Sequence, residues 1–389
     1  MSSVSRFLGR FFSSTASTTT TSSTTSSKRT RLVKFFCRSI YRENNLKRAV
    51  EKFKKASDID KFRTKQGIYV VMVRRLANAK CYGWIEEILE HQKQYKSMSK
   101  EGFSALLISM YGEAGMFEHA QKMFDEIPEH GCNQTALSFN ALLGACVNSK
   151  KFDEFEGLFR NLPDKLGIEP NVISYTTKIK AFVEMGSLDS ASMLLDEIEK
   201  KGLEPDLITF NTLFNGFYLN GRFADAEKIW DRMVSKNVTP DIRSYNARLY
   251  GMATEKKTKE AVELVEEMRS KEIEPDMYSF NALIRGFVNE GNLEEAKQWY
   301  RNMEESGASI NKATFGLIVP FVCEKGDLEF AFDLCKKTFN KQCLVDQELL
   351  QLVVDSLVKE SKIEEAKELV ELGKTNKCCR YKLNLPSEE

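Results

Sequence analysis

Hydrophobic residues recur along much of this chain at the spacing of amphipathic helices, and short polar breaks divide the helical runs into pairs. The segment 207–241 illustrates the pattern. Phe210 and Phe214 lie on one face of a first helical run, which stops at Gly221. A second run follows and ends at Pro240, which cannot continue a helix. The spacing therefore predicts two helices of about 12 to 14 residues joined by a tight turn.

This helix pair recurs with a period of 35 residues. Clear copies occupy 172–206, 207–241, 242–276 and 277–311. Weaker copies are predicted at 101–135, 136–171 and 312–346, and degenerate copies at 31–100 and 347–380, followed by a tail at 381–389. One hairpin alone cannot bury its apolar face, so repeats of this length stack on their neighbours, with atypical units as caps. The predicted fold is therefore an all-α solenoid of stacked helix-turn-helix units.

Similar residues recur at the turn between the two helices of a unit and at the end of the unit. A glycine near the middle, such as Gly221, suits the left-handed turn that ends a helix. The closing residues Asp206, Asp241 and Asp276 each follow a proline and are expected to cap the next helix. A small residue, which lets helices approach closely, recurs at one equivalent position: Ala191, Ala226, Ala261, Ala296 and Ala331.

The N-terminal segment 1–30 differs from everything that follows. It is rich in Ser and Thr, contains Arg6 and Arg10, and has no acidic residue. Its apolar residues between Val4 and Phe12 would share one side of a short helix. These features are typical of an organelle transit peptide, and we expect import into the mitochondrial matrix rather than the chloroplast. A disordered low-complexity tail is the alternative interpretation.

Composition and charge narrow the possible functions. The formal net charge is +1, but residues 1–42 contain eight Lys and Arg and no Asp or Glu, so the remainder carries 49 basic against 56 acidic residues. The nine cysteines lack zinc-site spacing, and the three histidines have no neighbours at ligand or triad spacing. We therefore expect no catalytic residues, no metal, no cofactor and no membrane span.

The junctions between units carry a family resemblance. Closing Pro-Asp pairs are followed by Thr209-Phe210-Asn211, Ser244-Tyr245-Asn246 and Ser279-Phe280-Asn281. These units resemble pentatricopeptide repeats of the plain 35-residue class, as found in plant organelles. Tetratricopeptide arrays are the runner-up, although their Trp-Leu-Gly-Tyr pattern is missing from the sequence. The resemblance implies a right-handed superhelix that binds single-stranded RNA, with about one base read by each repeat.

The resemblance also implies which residues contact RNA. In such repeats the fifth and last residues face the base edge. The corresponding pairs here are Asn140 with Asn171, Thr176 with Asp206, Asn211 with Asp241, Asn246 with Asp276, and Asn281 with Asn311. Under the family's code these pairs read pyrimidine, G, U, U and pyrimidine. The second residue wedges between bases, and Ile173 and Ile208 fit this role, whereas Arg243 and Tyr278 depart from it.

Two functions remain open at this stage. The first is a sequence-selective RNA-binding adaptor in mitochondrial gene expression, holding a short U-rich strand of mRNA. The alternative is a structural component of the small subunit of the mitochondrial ribosome, with ribosomal proteins and rRNA as partners. The acidic body favours the alternative because nucleic-acid binders usually carry a basic footprint. A scaffold that contacts only proteins is a third, weaker possibility.

Overall fold

A computed structural model describes residues 23–340, 345–375 and 381–385, and every regular element in these ranges is helical. The chain divides into two compact units, of which unit 1 ends at Thr212 and unit 2 begins at Leu213. The boundary lies within one helix, Leu207–Leu219. Most of the predicted transit segment, as far as residue 22, lies outside the described residues.

Unit 1 is built from paired helices. Their bounds are Ser23–Arg42 (α1), Leu46–Ser57 (α2), Asp60–Arg63 (α3), Gln66–Asn78 (α4), Tyr82–Glu90 (α5), Glu101–Glu113 (α6), Phe117–Asp125 (α7), Ala136–Asn148 (α8), Phe152–Leu166 (α9), Val172–Glu184 (α10) and Leu188–Lys200 (α11), followed by the start of Leu207–Leu219 (α12). Short 3₁₀ helices at His91–Gln94, Lys96–Ser99 and Ile127–His130 join some of them. From α4 onward, even-numbered helices are the first helices of hairpins and odd-numbered helices are the second.

Unit 2 continues the same alternation. Its helices after α12 are Phe223–Ser235 (α13), Ile242–Thr254 (α14), Thr258–Ser270 (α15), Met277–Glu290 (α16), Leu293–Glu305 (α17), Lys312–Glu324 (α18), Leu328–Asn340 (α19), Gln347–Lys359 (α20) and Ile363–Thr375 (α21). Most of these helices have 13 residues, as the sequence predicts. Within each unit, successive first helices pack side by side, and each also packs against its own second helix.

The hairpin turns follow from local chemistry. Gly291 ends α16 at φ 78°, a left-handed conformation that costs glycine little. At the N-terminal end of the same helix, the carboxylate of Asp276 accepts hydrogen bonds from the backbone N–H groups of Tyr278 and Ser279. The Ser279 hydroxyl accepts in return from the Asp276 backbone N–H, at 3.1 Å. This reciprocal capping box satisfies donors that the first turn would otherwise leave unpaired.

Burial follows the predicted helical faces. Phe210 and Phe214 are both completely buried, which confirms that they are core residues. The recurring small position is 0–1% exposed at every copy: Ala191, Ala226, Ala261, Ala296 and Ala331. Each second helix therefore lies close to its neighbours at this alanine, as expected for interiors packed without voids.

The N-terminal segment departs from the sequence prediction in one respect. Helix α1 begins at Ser23, inside the segment that we expected to be transit peptide or disordered. Ser and Thr are weak helix formers, so local preference alone does not explain a helix here. Further along α1, Val33 and Ile40 are buried. Their packing stabilises the helix, and local sequence preference does not include this stabilisation.

Two further properties of the described ranges concern membrane spanning and metal binding. None of the helices described is both long and apolar enough to cross a membrane. In the same ranges no three His, Cys, Asp or Glu side chains come together in a way that would hold a metal ion.

Candidate RNA interface

The predicted base-facing residues lie at the start of each first helix. In unit 1, the side chains of Asn140 and Asn171 are in contact. The amide nitrogen of Asn140 donates to the Oδ1 of Asn171 at 3.1 Å. The hydroxyl of Ser174, in the next hairpin, donates to the Oδ1 of Asn140 at 2.6 Å. The predicted pair is thus brought together, and both polar atoms of Asn140 are used within the protein.

The same arrangement recurs in unit 2. The amide nitrogen of Asn246 donates to the Oδ1 of Asp276 at 2.9 Å, and the Ser279 hydroxyl donates to the Oδ1 of Asn246 at 2.5 Å. Asp276 Oδ1 also caps α16. One carboxylate oxygen therefore joins the fifth residue of one hairpin to the first turn of the next. These bonds, between residues about 30 apart in sequence, form an inter-repeat lock.

The pair Thr176 and Asp206 is linked through a third side chain. The Thr176 hydroxyl lies 2.7 Å from the hydroxyl of Thr209 and 2.7 Å from the Val172 carbonyl oxygen. Thr209 in turn donates to the Oδ1 of Asp206 at 3.0 Å. Thr176 is only 3% exposed, so its hydroxyl belongs to the packed junction between hairpins.

The pair Asn281 and Asn311 differs from this pattern. Asn211 is 9% exposed, whereas Asn246 and Asn281 are half-buried. The Oδ1 atom of Asn281 is buried and has no hydrogen-bond partner in the described ranges. Asn311 accepts from the Thr314 backbone N–H at 3.1 Å and from its hydroxyl at 3.3 Å, so it serves as a helix cap.

Two of the closing residues, Asn171 and Asp276, keep one polar atom available. At Asp276, every hydrogen bond within the described part of the chain goes to Oδ1, which leaves Oδ2 without a partner. At Asn171 the Nδ2 group is likewise unpaired in those ranges. Both side chains are half-buried. One half of each side chain therefore holds the hairpin junction, while the other half can meet a base edge.

The second-residue positions are accessible to different degrees. Ile173 and Ile208, the predicted wedges, are half-buried at the starts of α10 and α12. Arg243 is half-buried on α14, and Tyr278 on α16 is 54% exposed. An exposed tyrosine offers a flat ring for base stacking, which depends little on base identity.

Two residues that the sequence reasoning missed complete this surface in unit 2. Tyr250 lies seven residues after Arg243, and Arg285 seven residues after Tyr278, so each pair shares a helix face. The guanidinium of Arg285 lies 5.4 Å from the ring centroid of Tyr250, across the junction between α14 and α16. We call these four side chains the Arg/Tyr patch. The repeated seven-residue spacing was the signal that would have found Tyr250 and Arg285.

On the first helices of unit 1 that the structure describes, the Arg/Tyr patch has no counterpart of equal charge. Lys180 occupies the equivalent position to Tyr250 and Arg285, but its ammonium group donates to Asn148 and lies 3.5 Å from Glu184. The positions one turn further along the first helices hold no cation: Asn148, Glu184, Leu219, Thr254 and Asn289. Phosphate attraction along this surface is therefore weak outside the Arg/Tyr patch.

Comparisons with known proteins agree with this architecture. A model of the PPR repeat family matches residues 170–219, 208–254, 240–289 and 278–324, and a PPR repeat model matches residues 106–132 and 137–165. A crystal structure of the pentatricopeptide repeat protein PPR10 from maize is similar with a TM-score of 0.52. That likeness has 17% identity and covers 88% of this chain and 57% of the maize chain. It confirms the predicted class of stacked helical hairpins.

Curated relatives are more similar in sequence over shorter stretches. Small ribosomal subunit protein mS79 (rPPR3b) of Arabidopsis thaliana is 58% identical over 157 residues, which is 40% of each chain. Small ribosomal subunit protein mS78 (rPPR3a) of the same plant is 57% identical over 157 residues, 40% of this chain and 39% of the relative. The chain thus spans about 40% of the length of these relatives. Since the family models together match more than half of its residues, the chain belongs to the pentatricopeptide repeat family.

Proposed function

We propose that this protein is a structural, non-catalytic component of the small subunit of the mitochondrial ribosome, docked on ribosomal proteins and rRNA in the mitochondrial matrix. The observation that carries the proposal is the 58% identity over 157 residues to a plant small ribosomal subunit protein. A second small-subunit relative is 57% identical over a stretch of the same length. Of the two functions that the sequence left open, these relatives favour the ribosomal one.

The hydrogen bonding of the fifth residues supports a scaffold role. The amide of Asn140 and the hydroxyl of Thr176 are buried and already bonded to the neighbouring hairpin. Reading a base with either group requires breaking those bonds, and a typical hydrogen bond contributes about 0.5–1.5 kcal/mol. An acidic body with few phosphate-facing lysines fits the same role, because a ribosomal component can be held by protein contacts in addition to RNA.

A sequence-selective mRNA adaptor is the second candidate, favoured by the geometry at Asp276. Its Oδ2 is available beside Asn246, and the Arg/Tyr patch lies on the same row of first helices. A short U-rich strand would place an imide N–H, a hydrogen-bond donor, against such a carboxylate oxygen. This candidate and the ribosomal one both predict RNA on the first helices but differ in which RNA it is.

Ultraviolet crosslinking of the tagged protein in isolated mitochondria, followed by sequencing of the bound RNA, separates the two functions. The ribosomal proposal predicts crosslinks concentrated at one or a few sites in small-subunit rRNA. Crosslinks dominated by one mRNA, with rRNA at background, would replace the proposal with the adaptor. A matched sample without ultraviolet light sets the background.

A further inference from the structure

Helix α1 is fixed to unit 1 through one of its faces. Val33 and Ile40 on that face are 3% and 0% exposed. Arg75 donates to the carbonyl of Ile40 at 2.8 Å and also to the carbonyl of Glu43, which ties down the C-terminal end of the helix. Lys61 donates to the hydroxyl of Thr30 at 2.8 Å. The helix is therefore a docked element with a defined outer face.

The outer face of α1 is cationic. Arg31, Lys34, Arg38 and Arg42 follow one another at intervals of three or four residues, which places them in one stripe along a helix. All four are exposed, and none has an acidic partner in the described ranges. Phe35 lies within the same face and is 64% exposed. We call these five side chains the α1 basic face.

The charge of this face is not neutralised nearby. No acidic residue occurs in Ser23–Arg42, and the next one, Glu43, is held by the ammonium group of Lys52 at 2.5 Å. The rest of the chain beyond residue 42 has more acidic than basic residues. The stripe of cations is thus a local positive surface on an otherwise acidic protein, which is the electrostatic footprint of a polyanion site.

Its dimensions suit a nucleic-acid backbone. From Arg31 to Arg42 the helix rises about 16 Å, enough to meet two or three successive phosphates. An anionic membrane is the competing polyanion. Membrane-surface helices insert a continuous apolar face between lipid headgroups. In α1, Val33 and Ile40 are buried in unit 1, and the exposed apolar side chains Leu32, Phe35 and Tyr41 are interspersed with the cations. The observations therefore favour RNA.

We propose that the α1 basic face binds the phosphate backbone of RNA, independently of the base-reading positions on the repeats. The α1 basic face is not part of the first helices that carry the predicted base-facing residues. This inference therefore does not depend on the ribosomal proposal. Contacts of this kind position a protein on RNA without reading sequence. Exposed Phe35 can add stacking where the RNA has an unpaired base.

The test uses the full-length protein and a fluorescent RNA duplex of about 20 base pairs, whose paired bases in a narrow groove are hidden from the repeats. The variant R31Q/K34Q/R38Q/R42Q removes the stripe. At about 100 mM KCl we expect its dissociation constant to rise at least about tenfold, and its plot of log affinity against log salt to be shallower by about three. Circular dichroism melting checks that the variant remains folded.

The matched control is K96Q/K122Q/K165Q/K200Q, which removes the same charge from exposed lysines elsewhere in unit 1. We expect this control to weaken duplex binding less than about threefold, since it changes only the long-range field. Equal losses in both variants, an unchanged α1 variant, or no duplex binding by the wild-type protein would each overturn the inference. So would a loss of binding to cardiolipin vesicles while duplex binding stays intact, which would assign the face to a membrane. Failure to sediment with ribosomes would leave this result standing and count only against the ribosomal proposal.

Discussion

At the residue scale, the fifth residue of some repeats holds neighbouring hairpins together. Asn246 bonds both the closing Asp276 and the Ser279 of the next first helix. The equivalent Asn281, one unit later, makes no such bonds and leaves its buried Oδ1 unsatisfied. The two asparagines are both half-buried, so they form a natural matched pair for measuring the inter-repeat lock.

Asn246→Ala should lower the free energy of unfolding by about 1–2 kcal/mol, because two hydrogen bonds between hairpins are lost. Asn281→Ala should change it by less than about 0.5 kcal/mol, since its buried Oδ1 makes no hydrogen bond in the described ranges. Urea unfolding followed by circular dichroism gives both values. Equal destabilisation by the two substitutions would show that the lock contributes nothing beyond the packing of the side chain.

Tyr278 is the residue on the first helices best placed to stack on a base. Tyr278→Ala should weaken binding of a fluorescent U-rich single strand by about 5- to 150-fold, the range of about 1–3 kcal/mol found for base–aromatic stacking. Tyr82→Ala is the control, because Tyr82 is 46% exposed but begins the second helix α5. Fluorescence anisotropy measures both. Equal effects at the two tyrosines would exclude stacking at Tyr278.

Sequence reasoning located these residues better than it described their surroundings. The repeat period gave the positions of Asn140 and Asn246, and the family resemblance gave their partners in contact, Asn171 and Asp276. Their burial was not predictable, because it depends on how closely one hairpin approaches the next. The same approach brings the third residue, Ser174 or Ser279, onto the fifth residue of the preceding hairpin.

At the element scale, close contact between first helices depends on particular small residues. A Cβ atom at Gly112 on α6 would lie 2.4 Å from the Cα of Ala145 on α8, a distance that the two backbones cannot accommodate. At Gly144, also on α8, the space around the equivalent Cβ is open. Both glycines lie inside a first helix, but only Gly112 lacks the space for a Cβ atom.

Gly112→Ala and Gly144→Ala should change stability in opposite directions. Overpacking at Gly112 costs about 1–3 kcal/mol, more than the helix propensity gained from alanine. At Gly144 only the propensity gain of about 0.5–1 kcal/mol remains. Thermal melting of the two variants measures the difference. Stabilisation by both substitutions would mean that α6 and α8 are further apart than described.

The helical elements themselves were largely predictable. A glycine or polar turn at a fixed offset, followed by a Pro-Asp junction, fixed the starts of α12, α14 and α16. The short 3₁₀ helices between His91 and Ser99 had no periodic signal in the sequence, since they lie in a degenerate repeat. Helical structure was predicted only from residue 31, because the Ser- and Thr-rich start of α1 resembles a targeting segment, whereas docking of Val33 and Ile40 stabilises the helix.

At the scale of the whole molecule, charge is unevenly distributed. Residues 1–42 contain eight Lys and Arg and no Asp or Glu, whereas the body that follows is slightly acidic. An adaptor holding RNA through phosphates alone would lose affinity steeply as salt rises. A ribosomal component that also contacts proteins through its repeats should be retained at moderate salt.

The most direct test of the ribosomal proposal is the stoichiometry of this protein across a sucrose gradient of mitochondrial extract, at a moderate salt of about 200 mM KCl. Quantitative mass spectrometry compares its copy number with that of known small-subunit proteins in each fraction. The proposal predicts close to one copy per small subunit in the small-subunit and monosome peaks. A protein found mainly at the top of the gradient, or present at a few per cent of small subunits, would contradict it.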